Sequence, residues 1–138
     1  MFLNIEREVI IVSNLNYQEV ENTLKNWLIN KVKEAGAKGA VIGLSGGIDS
    51  AVTAALCKKA FKENTLGVII PCYSKKEDKE DAILLAETFD MNYKVKDLSD
   101  IYDDFVNVLI DDDSENESKE MALANIKPRL RMTALYYY

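Results

Sequence analysis

The sequence predicts an α/β fold: a doubly wound parallel sheet with helices on both faces, in one domain over the 138 residues. Three observations predict it. Short apolar runs alternate with longer stretches whose apolar residues recur every three or four positions. The first run ends in glycine-rich sequence and the second in proline, as buried parallel strands do before a crossover helix. Strand–helix–strand connections of this kind are right-handed almost without exception, which makes the sheet parallel.

The elements follow in order. Residues 1–14 are ambiguous, since Val9-Ile10-Ile11-Val12 reads as a strand or as a partner-facing segment. Residues 16–35 read as a helix with Val20, Leu24, Trp27, Leu28 and Val32 on one stripe, Asn16 as N-cap and Gly36 as stop. Residues 39–44 are the first buried strand. A helix over 50–61 carries Val52, Leu56 and Phe61 among alanines. Residues 65–70 are the second strand, stopped by Pro71. A helix over about 77–89 offers Ala82, Leu85, Ala86 and Phe89. Residues 92–97 alternate as an edge strand does. An amphipathic helix over 99–110 carries Ile101, Phe105, Val108 and Leu109. The acidic run from Asp111 to Glu117 reads as a solvated loop, because it lacks the glycine and terminal glutamate of a calcium loop. Residues 118–138 are helical, with Asn125 capping a new helix and Pro128 in its first turn. The ending Ala134-Leu135-Tyr136-Tyr137-Tyr138 has no stop signal and reads as a cut inside a helix.

Composition excludes several classes of function. Hydrophobic residues make up 48% and charged residues 29%, as in an ordinary globular domain. No run approaches the roughly 20 apolar residues of a membrane span. Met1 to Glu8 show no basic region and no apolar core of a signal peptide, so a cytoplasmic location is expected. There are no histidines, which removes Ser-His-Asp and Cys-His triads and any histidine-metal site. A metal here takes oxygen ligands, which favours magnesium. The net charge of -6 weighs against a nucleic-acid partner. Of the two cysteines, Cys57 falls at an apolar helical position and is expected to be a buried thiol, while Cys72 falls at a strand end.

The chemistry is concentrated in Gly43-Leu44-Ser45-Gly46-Gly47-Ile48-Asp49-Ser50, between a strand and a helix. Two glycines let the backbone turn sharply and bring its N–H groups against an anion. The following helix points its positive end at the same place. Ser45 and Ser50 add hydroxyl donors. Asp49 is repelled by phosphates unless a cation lies between them, and Mg2+ is the natural bridge. No Gly-Lys-Ser/Thr follows, so this is not the kinase-type phosphate loop; nor is it G-x-G-x-x-G. In such sheets ligands bind at the carboxyl ends of the strands, so Ser45–Ser50 and Pro71–Lys76 share one rim.

Ser45-Gly46-Gly47-Ile48-Asp49-Ser50 resembles the pyrophosphate loop of the ATP pyrophosphatases, which have the adenine nucleotide alpha-hydrolase-like fold. These include NAD synthetase, GMP synthetase, asparagine synthetase, argininosuccinate synthetase and tRNA thiolation enzymes. Two features favour the NAD synthetase family: Ile70-Pro71 followed by Lys79-Glu80-Asp81-Ala82, and Asn125-Ile126-Lys127-Pro128-Arg129-Leu130-Arg131-Met132, with Pro128 in place of a small residue. The resemblance implies that the nicotinate carboxylate of deamido-NAD attacks the α-phosphate of ATP, pyrophosphate leaves into the loop, and ammonia displaces AMP. It implies ATP contacts along Gly43–Ser50, Mg2+ on Asp49, deamido-NAD on Arg129, and a homodimer, for which Phe105–Ile110 and the tyrosine tail are candidate surfaces. Two arginines two residues apart cannot share a helix face, so Arg131 is expected to pack or pair elsewhere. The resemblance also implies a missing downstream strand and Gly-Thr-x-Asn/Asp-x-x-Glu segment, hence weak nucleotide binding and no turnover for these residues alone. The chain contains no glutaminase segment ahead of these elements, so free ammonia is the expected nitrogen donor. The rival readings are a GMP synthetase or tRNA thiolation type enzyme, and a non-catalytic adenine-nucleotide module lacking the Asp49 bridge.

Overall fold

The computed structural model describes residues 16–109 and 117–138, so residues 1–14 and most of the acidic run lie outside the described residues. The first helix among the described residues, here α1, spans Tyr17–Glu34. Asn16 caps it as expected: Oδ1 accepts from the Glu19 N–H at 3.3 Å. At its end the Ala37 N–H donates to the Val32 carbonyl and the Gly36 N–H to the Lys33 carbonyl, both at 3.0 Å. Gly36 has φ +69° there, the left-handed conformation that closes a helix in this way. The predicted stripe is less covered than its period implies. Val20, Leu24 and Trp27 are exposed, and Leu28 packs on the core, because α1 rests on the next helix rather than on the sheet.

Three strands, β1 (Ala40–Leu44), β2 (Thr65–Ile69) and β3 (Asn92–Val95), pair in that order, and both pairs are parallel. Helix α2 (Ile48–Phe61) and a 3₁₀ turn (Lys62–Asn64) connect β1 to β2, and α3 (Lys76–Thr88) connects β2 to β3. The core between sheet and helices contains Ile42, Leu44, Ile69 and Met91 with Ala54, Cys57, Ala82 and Ala86. Small helix residues let the backbones approach closely, so α2 buries Ala54 and Cys57 whereas Val52, expected to face inward, is 52% exposed. The buried thiol expected of Cys57 is observed. Thr65, 1% exposed, is satisfied by donating to the Cys57 carbonyl at 3.1 Å.

The other face of the sheet is also covered. Helix α4 (Ser99–Leu109) and helix α5 (Glu117–Tyr136) follow β3. Leu135 of α5 packs against Gly43 of β1, where an added Cβ would stand 3.2 Å from Leu135 Cδ1. The Tyr102 hydroxyl on α4 donates to the Leu123 carbonyl of α5 at 3.4 Å. β2 is therefore buried from both sides, with the successive, oppositely facing Val68 at 0% and Ile69 at 2% exposure. Each such side chain contributes roughly 1.5–3 kcal/mol of transfer free energy. α4 turns Val106 inward and leaves Ile101, Phe105, Val108 and Leu109 exposed.

One expectation fails at Asn125. It does not cap a new helix; α5 runs unbroken from Glu117 to Tyr136 with Pro128 inside it. Proline has no N–H for the carbonyl of Ala124, four residues earlier, and its ring crowds that group. The Arg129 side chain turns back onto the neighbouring carbonyl, Nη1 donating to Asn125 O at 2.7 Å. Anchoring of α5 on the sheet outweighs the local preference. Pro128→Ala is accordingly expected to stabilise the chain by about 1–3 kcal/mol, read from urea unfolding midpoints. An unchanged or lower midpoint would show that Pro128 sits there without strain.

Candidate functional site

The glycine-rich turn stands where the sequence places it, between the end of β1 and the start of α2. It is solvent-facing: Ser45, Gly47, Ile48 and Asp49 are exposed, and Gly46 and Ser50 half-buried. Gly46 has φ +79°, and a Cβ there would lie 2.6 Å from the Asp78 carbonyl oxygen and 3.2 Å from Asp81 Cβ on α3. Only glycine meets both demands. The turn is held by its serines. Ser50 Oγ donates to Gly47 O at 2.9 Å and accepts from Ser45 Oγ at 3.1 Å and Ser45 N–H at 3.3 Å. Ser45 Oγ accepts from the Gly47 N–H at 3.3 Å.

Two loop amides, those of Ser45 and Gly47, are thus engaged inside the turn. The helix N-terminus is not. Gly47 provides no side-chain cap to α2, and the first helical bond begins at Ala51, whose N–H donates to Gly47 O at 3.1 Å. The N–H groups of Ile48, Asp49 and Ser50 therefore have no acceptor among the described residues and project at the uncapped, positive end of the helix. That is the arrangement an anion accepts. Asp49 stands in this first turn, exposed.

Next to the turn lies a cavity of about 300 Å³ at the carboxyl ends of β1 and β2. Leu44, Val68, Ile69, Ile70, Pro71 and Leu135 give it apolar walls; Ser45, Ser74, Asp78, Lys79 and Arg131 give it polar edges. Gly43, Leu44 and Ser45 are the predicted loop residues that line it; Asp49 is not in its wall. The Arg131 side chain reaches over from α5, Nε donating to Ile70 O at 2.9 Å and Nη2 to Ser74 Oγ at 3.2 Å. Beyond the rim, Tyr73 has φ +53° and its hydroxyl bonds to Asp103, which pushes its pKa up to about 12. Lys127 lies over the Tyr73 and Tyr102 rings, 5.3 and 5.1 Å from their centroids.

A family model described as NAD synthase matches residues 20–138. The chain belongs to the NAD synthase family. Among curated relatives, an NH(3)-dependent NAD(+) synthetase of Carboxydothermus hydrogenoformans is 49% identical over 124 residues, covering 90% of this chain and 51% of the relative. One of Finegoldia magna is 48% identical over 124 residues, with 90% and 49% covered. The chain spans about half the length of the curated relatives it matches. Its fold is similar to that of an NH3-dependent NAD synthetase from Campylobacter jejuni (TM-score 0.79, 34% identity, 90% of this chain and 52% of the other). It is similar also to an NMN synthetase from Francisella tularensis (TM-score 0.81, 32% identity, 91% and 50% covered).

In this chain the two arginines of α5 part company. Residues two apart on a helix point about 200° from one another. Arg129 is exposed, with its guanidinium on its own helix, and it is Arg131 that borders the cavity. Pro71 and Ser74, from the Pro71–Lys76 stretch expected on the rim, do line the cavity. Asp78 and Arg131 were not legible as rim residues; the one signal was the two-residue spacing, which forces the arginines apart without saying which faces inward. Cys72 is 1% exposed, with Sγ toward Leu98 O at 3.9 Å. Desolvation raises its pKa, so the thiolate that sulfur transfer needs is disfavoured. No helix among the described residues is long and apolar enough to cross a membrane.

Proposed function

We propose that the chain carries the ATP-handling half of an ammonia-dependent NAD synthetase. One observation carries this: an open, uncapped helix N-terminus with three free amides adjoins an apolar cavity at the strand ends. The base of ATP fits between Leu44, Val68, Ile70 and Pro71, and its pyrophosphate end fits the Ser45–Ser50 turn. Family membership and the names of the curated relatives support deamido-NAD and ammonia as the other substrates. Because the chain matches about half of those relatives, the proposal assigns it the activation machinery and not unaided turnover.

In the first step a carboxylate oxygen of deamido-NAD bonds to the α-phosphorus of ATP as the α–β bridging P–O bond breaks. In the second, ammonia bonds to the acyl carbon, the C–O bond to AMP breaks, and a proton is lost from nitrogen. The chain's residues do little covalent work. The amides of Ile48, Asp49 and Ser50 receive the charge gathering on the departing pyrophosphate, already oriented before reaction. Among the described residues no three His, Cys, Asp or Glu are grouped to hold a metal unaided. Asp49, an exposed hard carboxylate beside a phosphate site, is the residue that would hold Mg2+. The ion would neutralise charge on the leaving group. Arg129 stays the proposed deamido-NAD contact on the strength of the resemblance; it is exposed and available. The exposed row Phe105, Val108, Leu109 on α4 is the proposed homodimer surface, with Ile110 outside the described residues. A cytoplasmic location belongs to the same proposal.

Calorimetric titration with ATP, with and without Mg2+, tests this. The expected outcome is weak but Mg2+-dependent binding. Equal affinity in both conditions would favour a plain nucleotide-binding module.

A further inference from the structure

Arg131 is held in an unusual way for a partly buried charge. Its two bonds go to neutral acceptors, the Ile70 carbonyl and the Ser74 hydroxyl. Among the described residues it makes no ion pair; the four pairs present involve Lys31, Lys58, Lys59 and Lys76. A guanidinium has five N–H donors in a rigid plane, so three remain uncommitted. A partly desolvated cation without a counter-charge costs free energy that two neutral hydrogen bonds only partly offset. An arginine serving only to tie α5 to the end of β2 has no need of that charge.

The same guanidinium borders the rim cavity that Ser45, the first residue of the anion-accepting turn, also lines. A nucleotide whose base fills the apolar part and whose terminal phosphates meet the turn must run its chain past this wall. Lys79 adds a second cation to the rim and Asp78 an opposing carboxylate, so Arg131 is the pre-oriented planar donor there.

We propose that Arg131 meets the phosphate chain of the bound nucleotide between the cavity and the Ser45–Ser50 turn, and thereby sets the preference for ATP over the bare nucleoside. This rests on the nucleotide reading above. The test is calorimetric titration of the intact chain with Mg2+-ATP and, separately, with adenosine, for wild type, Arg131→Met and Arg131→Lys. Circular dichroism confirms that each variant is folded. Arg131→Met is expected to weaken ATP by about tenfold or more while leaving adenosine unchanged, and Arg131→Lys to recover part of the loss. Equal losses for ATP and adenosine would reduce Arg131 to a support of the cavity wall and overturn the inference, as would no loss for either. A wild-type chain that binds neither ligand would overturn the nucleotide reading itself, and this inference with it.

Discussion

Gly46→Ala is expected to destabilise the chain by roughly 2–5 kcal/mol and to abolish measurable ATP binding. Two separate costs meet at this position. The backbone sits at φ +79°, where an L side chain is strained. The new methyl group would also stand 2.6 Å from a backbone oxygen, that of Asp78 in α3, which no side-chain rotation can relieve. If the turn yields instead of α3, the amides of Ile48 to Ser50 lose their common direction. Each hydrogen bond to a charged phosphate is worth about 1.5–3 kcal/mol, so misdirecting two lowers affinity by about 100-fold or more. Urea unfolding and ATP titration of the variant measure the two effects. A variant as stable as wild type and equally able to bind ATP would mean that the turn tolerates another shape and that the anion reading is wrong.

Asp49→Asn is expected to do the reverse: little to stability, much to the ligand. The carboxylate lies in the first turn of α2, where the helix dipole favours it by about 0.3–1 kcal/mol, and that is the limit of the expected loss. The amide keeps the shape and removes the hard anionic oxygen that Mg2+ prefers. Affinity for ATP in the presence of Mg2+ should fall to the level seen without it. In a form of the enzyme that turns over, the rate should fall by about 100-fold, as for other lost electrostatic stabilisers. A binding module without a metal bridge would be indifferent to the change.

The loop was legible because its chemistry is local. Ser45, Gly47 and Ser50 make one another's hydrogen bonds within six residues, and the strand before and helix after are short-range patterns. The alternation of strands and helices, their parallel pairing and the caps at Asn16 and Gly36 were legible for the same reason. Long-range features were not. Arg131 is 61 positions from Ile70, and nothing in its own helix announces that contact. The unbroken α5 through Pro128 is likewise a tertiary outcome, since local propensity alone ends a helix there. Apolar period also misjudged burial. Val52 and Phe105 lie outward because alanines and Val106, not the larger residues, fit against the neighbouring layer.

Amide-resolved NMR of the chain, titrated with pyrophosphate in the presence of Mg2+, probes the backbone groups themselves. The N–H signals of Ile48, Asp49 and Ser50 should move first and saturate together, with smaller movements at Ser45 and Gly47, whose amides already serve the turn. If those three signals stay still while others respond, the uncapped start of α2 is not where the anion binds.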